Sequence, residues 1–207
     1  PRRVVRFFGP PLSFSLSRHH RRFEEIRTMA REIPEDHPLH RLFRGLTETT
    51  FLDELGIGDP HLVGYVSGLL ARFVAASGVW AIRDAHGRQV RAVSAMVAEA
   101  ESSADPERRR ECHRHVGDFT LYFTGVFPEA LGSIIGRDGA DRLIDFQEQG
   151  KRSYRLAGTA KADDDQSGIL LRLSDQFELC AFGLSKVRQG LERLDRRPDS
   201  GPNRLIA

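Results

Sequence analysis

Cysteine is nearly absent: Cys112 and Cys180 are the only two in 207 residues, too few to staple a small secreted domain. Lysine is scarce as well. Lys151, Lys161 and Lys186 are the only lysines among 31 basic residues, and the other 28 are arginine. GC-rich coding produces such a bias more often than arginine chemistry does, so arginine content alone assigns no function. The sharp catalytic and nucleotide-binding signatures are missing too. The chain has no G-x-x-x-x-G-K-[ST], no G-x-G-x-x-G after a strand, no H-E-x-x-H, no C-x-x-C and no G-x-S-x-G, which removes the common P-loop, dinucleotide, zinc-protease and serine-hydrolase readings at the level of motif. Helical enzymes, whose sites are assembled from distant residues, are untouched by that exclusion.

Long apolar runs are also few. Leu62–Ile82 carries Arg72 as its single charge and is long enough to cross a bilayer. A central arginine is expensive in a membrane, about 2.5–3.5 kcal/mol on insertion scales, so the segment is expected to be a buried helix, with no transmembrane span. Gly64, Ser67, Gly68, Ala71 and Ala75 share one of its faces, where a neighbouring helix could approach closely. Arg72 then needs a carboxylate from the bundle, because an unpaired buried charge is strongly unfavourable.

Of the residues that are present, 40% are hydrophobic and 29% charged, with a mean hydropathy of -0.39. This supports one sizeable core. The net charge of +2 is unevenly spread. Arg2, Arg3, Arg6, Arg18, Arg21 and Arg22 precede the first acid, Glu24, so residues 23–207 alone carry -4. The chain is read as a basic extended arm (1–16), a helical domain (17–196) and a flexible tail (197–207). The arm's arginines, interleaved with Phe7, Phe8 and Phe14, could contact nucleic acid or an anionic membrane surface. Pro10 and Pro11 interrupt the amphipathic helix of a transit peptide, and a cytoplasmic location is expected.

Helix signals are dense. Asp59-Pro60 and Asp105-Pro106 each put a capping acceptor before a proline at the first helical position, and Gly56, Gly87, Gly136 and Gly158 stand where apolar patterns stop. The pattern predicts helices near 17–33, 38–55, 60–82, 88–102, 106–126, 128–135, 139–157 and 167–195. In the last, Ile169, Leu173, Phe177, Cys180, Leu184, Val187, Leu191 and Leu194 recur at three- and four-residue steps and form one stripe. The expected fold is an all-α, single-domain bundle of about six to eight helices with a central C-terminal helix.

Chemistry is best sought between Glu111 and Tyr122. At helical spacing, Glu111, His115, Asp118 and Tyr122 form one row beside the apolar stripe Cys112, Val116, Phe119 and Phe123. Inward imidazole and carboxylate groups are what bundle proteins use to hold metal ions. Glu111, His115 and Asp118, completed by Asp175 and Glu178 and with Asp53 or Glu54 as further carboxylates, are the candidate ligands for a divalent metal. His115, Asp118 and Tyr122 are the candidate acid/base residues. Tyr154 is an inward tyrosine whose hydroxyl needs a partner and could reach this row. Both thiols lie in apolar stripes and should be inert. The first reading is a binding, adaptor or regulatory module with a protein partner or self-association. The alternative is a metal-dependent or acid/base helical enzyme with its His/carboxylate site between bundle helices.

Overall fold

Proline opens the first two helices of the bundle, and glycine ends the first of them. In the computed structural model, which describes residues 37–74, 76–135, 139–160 and 165–195, Pro38 opens α1 (Pro38–Glu48), and His37 Nδ1 accepts the Leu39 amide at 3.2 Å. The helix widens into a π-turn over Thr49–Glu54, with Leu55 N–H donating to Thr50 O at 3.0 Å. It stops at Gly56, whose φ of 67° only glycine adopts without strain. Asp59 caps α2 (Pro60–Val74) by accepting the amides of His61 and Leu62 at 3.0 and 3.2 Å. The short α3 (Ala76–Val79) follows.

The chain then turns before α4 (Val93–Ser102). Asp84 accepts the His86 and Arg88 amides at 2.9 Å each, Gly87 takes φ 76°, and Arg83 and Gln89 form an isolated antiparallel bridge. This turn occupies the residues where the predicted helix 88–102 was to start, because the local side-chain hydrogen bonds of Asp84 compete with helix formation. The second half contains α5 (Pro106–Gly125), a 3₁₀ turn at Pro128–Ala130, α6 (Leu131–Ile135), α7 (Gly139–Thr159), α8 (Asp165–Asp175) and α9 (Phe177–Asp195). Asp105 caps α5 through the Glu107 amide at 3.0 Å. A turn at Gln176 separates α8 from α9, where one continuous helix over 167–195 was predicted. No strand occurs among the described residues, and the all-α bundle is borne out. The predicted helix 17–33, the arm and the tail lie outside the described residues.

The helix most enclosed by its neighbours is α5, not the C-terminal helix. From Cys112 to Gly125 every residue of α5 is buried except Arg114 and Thr124. The last helix buries its predicted stripe at Phe177, Cys180, Leu184 and Val187 but leaves its other side open. Close helix approach also occurs away from the expected place. No neighbour comes within 4 Å of a Cβ built on Gly64, whereas a Cβ on Gly117 would sit 2.5 Å from the Tyr154 ring and one on Gly183 would sit 2.5 Å from the Phe51 ring. Glycine at these crossings lets α7 lie directly on α5, and lets the π-turn lie on α9. Phe73, Trp80, Phe119, Tyr122, Phe123 and Phe127 stack at centroid distances of 4.6 to 6.4 Å. Full burial of each such ring contributes about 1.5–3 kcal/mol.

Candidate functional site

Three helices bring their polar groups to one carboxylate. Asp118 on α5 is 1% exposed, and four donors converge on it. Tyr65 of α2 donates its hydroxyl to Oδ1 at 2.7 Å, and Tyr154 of α7 donates to the same oxygen at 2.9 Å. Arg114, one turn earlier on α5, reaches Oδ2 at 3.0 Å, and Arg72 of α2 reaches it at 3.2 Å. Arg114 also binds Glu111, with Nη2 2.7 Å from Oε2, and the Arg72 guanidinium lies over the Tyr65 ring at 5.3 Å. The site grades outward from a closed floor: Arg114 is 19% exposed, Arg72 43% and Glu111 46%.

The sequence supplies this geometry simply. Tyr65 and Arg72 are seven residues apart on one face of α2, and Arg114 and Asp118 are four apart on α5. Gly117 clears the space in which the Tyr154 ring approaches. The carboxylate expected for Arg72 is therefore Asp118, and the inward hydroxyl of Tyr154 does reach the predicted row. Tyr65 and Arg114 were not anticipated as members of the site.

Protonation follows from burial. Desolvation, reinforced by the Asp118 charge, raises both tyrosine hydroxyls well above their ordinary range, so both keep their protons and act as donors. Desolvation pulls the Arg114 guanidinium downward. The opposing attraction of Asp118 and the bonds to Glu111 and Tyr65 outweigh it and hold the guanidinium charged. His115 is engaged elsewhere. Its Nε2 lies 3.1 Å from Val79 O and its ring stacks on Phe73 at 5.6 Å. Burial lowers its pKa, partly offset by Asp118, and leaves it neutral near pH 7. Tyr122 packs among Phe73, Phe123 and Phe127.

The five candidate metal ligands do not come together. Glu111 is at the rim with Arg114, His115 faces Val79, and Asp118 is enclosed by tyrosine and arginine. Asp175, 66% exposed, pairs with Arg155 at 2.8 Å, and Glu178 pairs with Lys151 at 2.9 Å on the outer surface. Asp53 and Glu54 are exposed on the π-turn. Among the described residues no three His, Cys, Asp or Glu side chains gather where they could hold an ion, and no described helix is long and apolar enough to cross a membrane. Cys112 and Cys180 are buried free thiols, with burial pushing Cys180 up to about 12.

A second polar side chain is buried on α5. His113 is 3% exposed, its Nδ1 has no hydrogen-bond partner among the described residues, and its Nε2 stands 3.6 Å from Glu101. No family model matches the chain, and neither a curated protein nor a solved structure does.

Proposed function

We propose that this chain acts by binding, as an adaptor or regulatory module, through an outer surface of the bundle. One observation carries the reading: the large apolar side chains that packing leaves most open, Leu179 at 40% and Phe182 at 50%, stand one turn apart on the outer face of α9. Exposed apolar groups rimmed by charge are what protein partners cover. The rival reading is a metal-dependent or acid/base enzyme using His115 and Asp118, and the prior engagement of both groups counts against it. Asp118 already accepts from four donors, and His115 is tied to the Val79 carbonyl.

The test uses immobilised chain as bait in an extract of its source cells, comparing the wild type with Phe182→Glu, whose exposed site leaves the fold unperturbed. Stoichiometric retention of a protein by the wild type and its loss from the variant support the reading. Identical recoveries overturn it. Stoichiometric metal in the purified chain that disappears in His115→Ala would favour the enzyme instead.

A further inference from the structure

We infer that the outer face of α9 is a self-complementary surface on which a second copy of this chain docks antiparallel, centred on Phe182. The inference deepens the binding reading and rests on it. Rotation of 100° per residue places Glu178, Leu179, Phe182, Lys186, Gln189 and Arg193 within an arc of about 100°. Four of these, Glu178, Gln189, Arg193 and Phe182, are exposed along with Leu179, and Lys186 is half-buried. The stripe is ordered by charge: acid at its start, Leu179 and Phe182 at its centre, base at its end.

Glu178 and Lys186 each lie four residues from Phe182, so each is about 6 Å along the axis from the centre. A two-fold axis perpendicular to α9 at Phe182 therefore sets Glu178 of each copy opposite Lys186 of the other, while the two Phe182 rings meet between them. A parallel arrangement would oppose like charges. The two ends of the stripe are also unequally satisfied within the chain. Glu178 gives Oε1 to Lys151 at 2.9 Å and remains more than half exposed. Lys186 reaches over the Phe182 ring at 5.5 Å, and neither Lys186 nor Arg193 has a carboxylate partner among the described residues. The basic end is available to a carboxylate from outside.

The other side of α9 is closed, with the buried Phe51 ring against Gly183, so the stripe is the face of this helix left open. An interface of this extent belongs to the weak, reversible class, in which charge pairing sets register more than affinity.

The experiment is sedimentation equilibrium of the full chain across a concentration series, with circular dichroism confirming the fold of each variant. The wild type is expected to show a reversible monomer–dimer equilibrium, and Phe182→Glu a monomer. Glu178→Lys and Lys186→Glu should each weaken self-association at least tenfold. An equimolar mixture of those two should associate more strongly than either alone, because every facing pair is then opposite in charge. A wild type that stays monomeric at all concentrations overturns the inference, as does a Phe182→Glu chain that still dimerises. Charge variants that associate like the wild type, or a mixture no stronger than its components, overturn the antiparallel register. The binding reading fails separately, when bait recoveries are indifferent to Phe182→Glu.

Discussion

The floor of the bundle around Asp118 and the outer stripe of α9 use the same kinds of side chain for opposite ends. At Asp118, one carboxylate faces two guanidiniums and two phenols with almost no solvent, and each of those donors points inward. On α9, acid, aromatic and base follow one another along a line, and solvent reaches them all. Burial makes the first arrangement high in stakes, because a donor or charge left unmatched there keeps its full desolvation penalty. Exposure makes the second low in stakes for the fold, which leaves its residues free to serve association.

The contrast is sharpened first at the α5–α7 crossing. Gly117→Val forces a side chain into the Tyr154 ring and levers its hydroxyl from Asp118. Overpacking of this kind costs about 3 kcal/mol, read as a lowered urea midpoint, whereas Phe182→Glu should leave that midpoint nearly unchanged. Tyr154→Phe removes one hydrogen bond to a buried carboxylate and should cost about 2 kcal/mol in the same assay. Arg72→Ala removes the most solvent-exposed donor of the four, and its effect is expected to stay within about 1 kcal/mol.

Acid should weaken the buried side of α5 without touching the stripe. Burial depresses both His113 and His115 below the ordinary histidine value of 6.5, opposed by Glu101 at the first and by Asp118 at the second. The unfolded chain then binds protons that the folded chain refuses, so stability is complete above pH 6.5 and falls as pH drops through that value toward the depressed folded-state values. Urea midpoints measured between about pH 5 and 7.5 should show this slope, and His113→Gln should flatten it. The smallest effect concerns the thiols. Burial raises Cys112 and holds Cys180 up at about 12, so native protein should react with a thiol reagent far more slowly than urea-unfolded protein.

Much of the architecture was readable from local signals. The Asp-Pro pairs before α2 and α5 are strong because cap, proline and first apolar residue agree, and the stripe from Leu173 to Val187 is buried as its period requires. The break at Gln176 was missed because it interrupts no apolar period, and the helix expected from 88 begins only at Val93 because the Asp84 side chain carries the turn on to the Arg88 amide. Leu179 and Phe182 lie off that stripe and are open, and periodicity identifies apolar positions without saying whether a neighbour covers them. At the site, the row containing His115, Asp118 and Tyr122 was visible at helical spacing. Its meaning depended on Tyr65, Arg72 and Tyr154, which come from two other helices and meet Asp118 only once the bundle forms. The Tyr65–Arg72 spacing was the available signal for the first of these.

Asp118 ties α2, α5 and α7 together through its four donors. A carboxylate retained for chemistry at a strained site usually lowers stability, so its neutralisation strengthens the fold. One retained for packing does the reverse. The direct measurement is urea unfolding of Asp118→Asn beside the wild type at neutral pH. The expected result is a loss greater than that of Tyr154→Phe, because Arg114 would lose its buried counter-charge, and a midpoint equal to or above the wild type would contradict this role of Asp118.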